Sequence, residues 1–198
     1  MSAFYFGDIP YALRRFEEAA ALAWSIPAHI NLADYYLFYS LSLGSAQAPG
    51  EVTEKLEKLE RQRLRFLPWV ELNPITFRNK LLLIEGVIAR LRGQELVAIR
   101  CFDQSQIAAA AAGFIHEQAL AHEQLADICL PNGLVSGANY HLRVARDCYD
   151  LWGANSKARL LETLHSFLSA QPSFEPVRPM TQARLDLEVG IEAARALS

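Results

Sequence analysis

Three copies of one spacing pattern constrain the fold of this chain more than any other feature. In each copy an alanine follows a glycine by five residues, and a large apolar residue follows the alanine by four. The copies are Gly7, Ala12 and Phe16; Gly93, Ala98 and Phe102; and Gly133, Ala138 and Leu142. The last two copies lie 40 residues apart. Such a fixed period is typical of stacked helical hairpins and not of one compact catalytic fold.

Each residue of the pattern has a role in a helical hairpin. Glycine is favoured between two helices because that position often takes a positive φ. The alanine lets the second helix pass close to the first, and the large residue one turn later fills the space beyond the crossing. On the preceding helices, Gly86 and Ala126 lie twelve residues before Ala98 and Ala138. We therefore expect the two helices of each hairpin to approach closely at these small residues.

This set of spacings resembles the tetratricopeptide repeat, in which small residues and an aromatic residue form the contact within each hairpin. The period here is longer than the usual length of about 34 residues. The resemblance implies an all-α fold in which antiparallel helical hairpins stack as a tetratricopeptide-like right-handed superhelix, with longer helices or loops than the usual repeat.

Start and stop signals divide the chain into predicted helices. Pro10 follows Asp8 at a first-turn position, and Pro68 and Pro74 are predicted to bracket a short irregular link. The predicted helices span residues 9–24, 30–44, 51–67, 74–93, 94–112, 115–129, 135–152 and 155–169. We thus expect a helical-repeat domain over residues 1–170.

Two further segments follow this domain in the sequence. Residues 171–179 contain three prolines and no helical period, which predicts an extended linker. Residues 180–198 are predicted to begin a helix that connects to a downstream domain. Because only six residues precede Gly7, the first helix of the first hairpin is missing. We therefore expect the sequence to be a piece of a longer protein.

Charge and hydropathy narrow the classes of partner. The formal net charge of the 198 residues is −3, which does not favour nucleic acid or an anionic membrane as a partner, because both are bound chiefly through clustered Lys and Arg.

The longest apolar run, residues 107–115, is about half the length that spans a bilayer. The amino terminus lacks a secretory signal. The three cysteines, an odd number, favour buried thiols in a reducing compartment, so we expect a cytoplasmic protein.

No catalytic signature stands out in the sequence. It has neither a glycine-rich phosphate loop nor a GxGxxG motif. The stretch HEQALAHE resembles a zinc-protease helix, but His116 and His122 are six residues apart and Leu120 occupies the place of the second ligand. We therefore predict no catalytic residues, no metal and no cofactor, and expect that this chain is not an enzyme.

A run of aromatic residues in the predicted helix 30–44 has two interpretations. Tyr35, Tyr36, Phe38 and Tyr39 could stack on a ligand, or they could belong to the core. Aromatic residues at helical spacing are most often core residues, so the core interpretation is favoured.

The second half of the chain resembles the helical-repeat region of very large multidomain bacterial signalling proteins. The residues that carry this resemblance are Phe77, Arg78 and Lys80; Phe114, Glu117, Ala119, Ala121, His122 and Glu123; and Tyr149, Trp152, Gly153, Ala154 and Lys157. The resemblance covers residues 75–169 well, the tail modestly and the first 70 residues weakly. In those proteins a kinase-like domain and a predicted ATPase precede the helices, and a GAF sensor domain, often with a histidine kinase, follows them.

The resemblance implies a non-catalytic protein-interaction and signal-relay module, whose partners are a protein or peptide segment and the flanking domains of the same chain. An alternative is a ligand-sensing helical arm that binds a small molecule or peptide inducer and controls an attached ATPase. A third interpretation is a free-standing adaptor or self-associating module. By repeat geometry, the candidate residues of the concave binding face are Lys80, Leu83, Val87, Arg90, Leu120, Glu123 and Asp127.

Overall fold

The computed structural model of the chain describes residues 2–20, 30–45 and 48–169. The helices are α1 (Ser2–Tyr5), α2 (Ile9–Ala20), α3 (Ile30–Gly44), α4 (Val52–Leu72), α5 (Pro74–Leu91), α6 (Glu95–Ala112), α7 (Ile115–Cys129), α8 (Val135–Leu151) and α9 (Asn155–Leu164), followed by a 3₁₀ turn at Ser166–Leu168. No strand occurs within these ranges, which confirms the predicted all-α class. The predicted linker 171–179 and connecting helix 180–198 lie outside the described residues.

The helix boundaries agree with the sequence signals at most positions. Helices α3 and α7 have the predicted limits, and α5, α6 and α8 differ from prediction by two residues or fewer at either end. Helix α9 ends at Leu164, earlier than expected, and the 3₁₀ turn takes over the remainder. None of the helices in the described ranges is both long and apolar enough to cross a bilayer.

The predicted break at Pro68 is wrong, because α4 continues through this proline to Leu72. A proline inside a helix removes one backbone hydrogen bond and is costly by itself. Here the following residue, Trp69, packs its ring 5.1 Å from that of Phe66 and 5.6 Å from that of Phe77 on α5. These aromatic contacts require Trp69 to stay in helical register, so tertiary packing outweighs the local penalty.

Helices adjacent in sequence pack as hairpins, and the first helices of successive hairpins also touch. Helix α5 packs against α6 and α7 against α8, while α3 contacts α5 and α5 contacts α7. The turns are short, with three residues between α5 and α6 and two between α6 and α7. Turns of this length leave consecutive helices antiparallel. Helices α3, α5 and α7, which alternate with α4 and α6 in the sequence, therefore also touch one another in space.

The glycine-alanine pattern has the structural role that its spacing predicts. Gly7, Gly93 and Gly133 have φ values of +80°, +71° and +69°, a region that residues with a β-carbon rarely occupy. Within the α5–α6 hairpin, Gly86 contacts the ring of Phe102 directly, which confirms the expected close approach. In the α7–α8 hairpin, Ala126 and Ala138 are both fully buried.

The buried apolar residues form two clusters. The larger cluster extends from α2 to α7 and contains most of the aromatic run of α3. Its members Tyr36, Phe38 and Tyr39 are buried, which confirms the core interpretation for these rings. The smaller cluster joins α7, α8, α9 and the 3₁₀ turn around Tyr149. The short helix α1 lies where the two clusters meet, since Tyr5 packs against both.

Candidate functional site

The seven residues predicted to line a concave face differ widely in exposure. Leu83, Val87 and Leu120 are fully buried and belong to the larger apolar cluster. Lys80 is also buried, Arg90 and Glu123 are half-buried, and Asp127 is exposed. Their role in binding a partner stays a prediction. In this structure the four polar members take part in three separate ion pairs, two of them with a partner outside the seven, whereas the apolar members are core residues.

The first pair joins Lys80 on α5 to Glu117 on α7. Lys80 donates a hydrogen bond to Glu117 Oε1, and its side chain is 3% exposed against 0% for the glutamate. The Lys80 Nζ atom also lies 4.5 Å above the centre of the Phe114 ring, and His116 Nε2 lies 3.0 Å from Glu117 Oε2. Burial raises the pKa of Glu117, but the neighbouring His116 and Lys80 outweigh it, so the net shift is downward.

The second pair joins Glu123 on α7 to Lys157 on α9, with Tyr149 of α8 below it. The Lys157 ammonium donates to Glu123 Oε1 at 2.7 Å, and the Tyr149 hydroxyl donates to Glu123 Oε2 at 2.5 Å. Burial and the Glu123 charge raise the pKa of Tyr149 well above its usual range, so the phenol keeps its proton. This arrangement ties α7, α8 and α9 together at one carboxylate.

The third pair lies at the other end of α5. Arg90 Nη2 donates to the Gly44 carbonyl at 3.0 Å, and Arg90 Nη1 lies 3.9 Å from Asp127 Oδ2. Desolvation by the surrounding protein raises the pKa of Asp127 to about 6, although 59% of its side chain is open to solvent. The open surface argues for a smaller upward shift, because water still screens the carboxylate.

The helix α3 adds a further carboxylate to this surface. Burial raises the pKa of Asp34, an effect that the charge of Lys80 opposes and that of Glu117 reinforces. We call these residues together the inner charged face, which consists of Asp34, Lys80, Arg90, Glu117, Glu123, Asp127 and Lys157. It runs over α3, α5, α7 and α9 and contains charges of both signs.

Aromatic rings border the inner charged face. The Tyr5 ring centre lies 5.4 Å from that of Phe38 on α3, 5.8 Å from that of Tyr149 and 6.2 Å from that of Trp152 after α8. His116 stacks on Trp152 at 4.7 Å. Aromatic pairs at these separations favour edge-to-face or offset arrangements. The rings therefore connect α1 to both α3 and the end of α8.

A recess of about 460 Å³ opens between α1 and the beginning of α9. Its lining includes the rings of Tyr5, Phe6 and Trp152 and the cations Lys157 and Arg159. None of the described residues that line it is acidic. The recess thus combines apolar walls with positive charge and suits an anionic group attached to a flat or apolar body.

Two histidines pair on the side of the α7–α8 hairpin. His122 Nδ1 and His141 Nδ1 are 2.9 Å apart, so one of the two nitrogens donates to the other. Burial, with the charge of His141 as a second cause, lowers the pKa of His122 to about 4, and burial lowers the pKa of His141. Within the described ranges no three potential ligands come together as a metal-binding group.

Sequence reasoning missed some residues of this surface. Glu117 lies one helical turn before Leu120 on the same face of α7, so its spacing could have assigned it. The sequence pattern did not indicate Tyr5, because a four-residue helix is too short to show a hydrophobic period. The partnership of Lys157 with Glu123 depends on how α9 packs back on α7, which spacing within either helix does not encode.

In comparisons with known proteins, no family model, no curated protein and no solved structure matches this chain.

Proposed function

We propose that this chain is a non-catalytic protein-interaction and signal-relay module of a cytoplasmic, multidomain signal-transduction protein. In this proposal its hairpins stack as a tetratricopeptide-like right-handed superhelix that links a kinase-like or ATPase region to a downstream sensor region. Its partners are a protein or peptide segment and the flanking domains of the same chain.

The observation that carries the proposal is the inner charged face. Its charges have both signs and come from α3, α5, α7 and α9. Lys80 and Glu117 are buried, whereas Asp127 is open to solvent with Arg90 beside it. Fixed charges of both signs recognise a segment that presents complementary charges. Free Cys101, Cys129 and Cys148 agree with a reducing compartment.

The short connections between the helices support the relay function. One residue separates α4 from α5, and three residues separate α8 from α9. A shift of one hairpin is therefore transmitted to its neighbour through packed side chains, because such short turns allow little relative movement of the helices. A partner that binds α5 and α7 together biases the position of the helices on either side.

A peptide-selection experiment tests the proposal. The full chain is used to select binders from a random peptide library, and the affinities of the selected peptides are then measured by fluorescence anisotropy. We expect Asp127→Asn to weaken binding at least fivefold, whereas the matched variant Asp150→Asn, on the exposed side of α8, binds like the wild type. Equal affinities of the two variants, or no selected peptide at all, would contradict the proposal.

The recess beside α1 favours a second candidate function, the ligand-sensing arm that controls an attached ATPase. Its aromatic walls and the Arg159 guanidinium suit a small aromatic anion. Titration with anilinonaphthalene sulfonate as the probe tests this candidate. Saturable binding at one site that Arg159→Gln weakens, and that Arg100→Gln on the exposed side of α6 does not, supports it. Binding that is non-saturable or equal in both variants contradicts it.

A further inference from the structure

A small cavity lies between α3 and α4, apart from the recess beside α1. Its volume is about 210 Å³, which is below the roughly 300–1,000 Å³ of pockets that hold drug-sized ligands. Tyr35, Tyr36 and Tyr39 of α3 form one wall, and polar residues of α4 form the other. Its lining within the described ranges includes no carboxylate. We call it the tyrosine-arginine cavity, and its size suits a small ion.

The wall on α4 is positively charged. Its four residues follow the spacing i, i+3, i+4, i+7, which places them on one face of a helix; they are Lys58, Arg61, Gln62 and Arg65. Lys58 is already paired, because its Nζ atom lies 2.8 Å from Glu54 Oε1 and 3.4 Å from Glu17 Oε1. Among residues 2–20, 30–45 and 48–169, no carboxylate forms an ion pair with Arg61 or Arg65. The cavity therefore keeps two uncompensated guanidinium charges.

The Arg65 guanidinium is held in place by Tyr36. Its Cζ atom lies 4.8 Å from the centre of the Tyr36 ring, and its Nη1 atom donates to the Tyr36 hydroxyl at 3.1 Å. Because that hydroxyl oxygen accepts this bond, its own proton remains available to another acceptor. A guanidinium that is fixed on an aromatic ring loses less conformational freedom when it binds an anion. One of the two free charges is thus preorganised.

Gln62 adds an acceptor to the same wall. The residue is 8% exposed, and its Oε1 atom is buried without a hydrogen-bond partner in the part of the chain that the structure describes. A buried acceptor without a partner is unfavourable. Since an amide oxygen only accepts, a ligand that satisfies it has to donate a hydrogen bond. The cavity therefore matches a small anion that also carries a donor.

We propose that the tyrosine-arginine cavity binds a free phosphate ion, with Arg61 and Arg65 on its charged oxygens and Gln62 Oε1 accepting from its hydroxyl. Guanidinium groups form paired hydrogen bonds with phosphate oxygens. Near neutral pH the free ion keeps an O–H, whereas sulfate has none and a phosphomonoester loses its own above a pKa of about 6. This inference goes beyond the proposed function and uses no residue of the inner charged face, so its failure leaves that function unaffected.

Isothermal titration calorimetry on the full chain tests the inference. The titrants are inorganic phosphate, sulfate and methyl phosphate, each added in chloride buffer at about pH 7.5, where methyl phosphate is a dianion without a hydroxyl. We expect saturable binding of phosphate at one site, at least tenfold tighter than that of either other anion. Absence of saturable phosphate binding overturns the inference. Sulfate or methyl phosphate bound as tightly as phosphate also overturns it, because neither offers a hydroxyl to Gln62.

A charge variant tests the location of the site. Arg61→Gln removes an exposed guanidinium and should weaken phosphate binding at least tenfold. Arg100→Gln makes the same change on the exposed side of α6 and should bind phosphate like the wild type. Equal affinities of these two variants would place phosphate elsewhere on the protein and overturn the inference.

A second variant tests the hydrogen bond to the ligand. Gln62→Met keeps a side chain of similar length and removes the unpartnered oxygen, so the preference for phosphate over sulfate should fall at least fivefold. Its midpoint of thermal unfolding should equal or exceed that of the wild type, because no unpaired acceptor is then buried. An unchanged preference in a folded Gln62→Met chain overturns the role of Gln62. Should this variant not fold, the exposed Arg61 still provides the decisive comparison.

Discussion

Gly86 on α5 lies directly against the ring of Phe102 on α6, and a β-carbon at residue 86 would be 2.4 Å from Phe102 Cε1. We expect Gly86→Ala to lower the free energy of unfolding by about 1–3 kcal/mol, because a packed ring must shift to accommodate the methyl group. Gly137→Ala on α8 is the control, since its nearest atom is Cys129 Sγ at 3.4 Å. That variant should be neutral or slightly stabilising, as alanine favours the helix. Urea denaturation measures both, and equal effects would contradict the prediction.

The ion pair of Lys80 and Glu117 should behave as a coupled unit. Lys80→Met leaves a carboxylate buried without its cation, and we expect a loss of about 3–5 kcal/mol in the free energy of unfolding. The double variant Lys80→Met with Glu117→Leu should recover much of that loss, because it buries no charge. A double-mutant cycle from chemical denaturation measures the coupling. Strictly additive losses would show that the two side chains act independently.

The Tyr149 hydroxyl should contribute to stability through Glu123. Tyr149→Phe removes a hydrogen bond to a charged acceptor inside the smaller apolar cluster, and we expect a loss of about 1.5–3 kcal/mol. Tyr140→Phe makes the same chemical change at an exposed position on the same helix and should alter stability by less than about 0.5 kcal/mol. The midpoints of thermal unfolding of the two variants measure the difference in stability. The prediction fails if the variants have the same midpoint.

Acid should weaken the fold through His122. Because its pKa is about 4 in the folded chain and about 6.5 when unfolded, the unfolded chain binds the proton more readily between these values. The stability contributed by neutral His122 is therefore complete above about pH 6.5 and is lost as the pH falls towards 4, by about 3 kcal/mol. Denaturation of the wild type and of His122→Gln from pH 7 to 4 measures the difference. Parallel pH profiles would contradict the assignment.

Local signals in the sequence were enough to locate most helices and the close approach at Gly86. Glycines and prolines act through the backbone conformation of their own neighbourhood, so their meaning is largely independent of distant residues. The exception at Pro68 has a distant cause, because Trp69 gains contacts with Phe77 on the next helix. A rule that considers only the residues next to a proline does not include that contact.

The candidate site was harder to predict than the helices. Spacing placed Leu83 and Leu120 on a common face, but whether that face is open depends on how tightly neighbouring hairpins pack. The contact of Tyr5 with Tyr149 joins residues 144 positions apart in the sequence. Such a contact arises from the packing of α1 against a helix far away in the sequence, which no periodic pattern within single helices specifies.

Asn73 is the single residue between α4 and α5, and it caps both helices. Its backbone N–H donates to the Trp69 carbonyl at 2.8 Å, and its side-chain Oδ1 accepts from Thr76 N–H at 3.1 Å. Since each residue of a helix turns it by about 100°, inserting or deleting one amino acid here would rotate everything downstream relative to everything upstream. Length variation at this junction should therefore be far less tolerated than at the five-residue turn between α7 and α8.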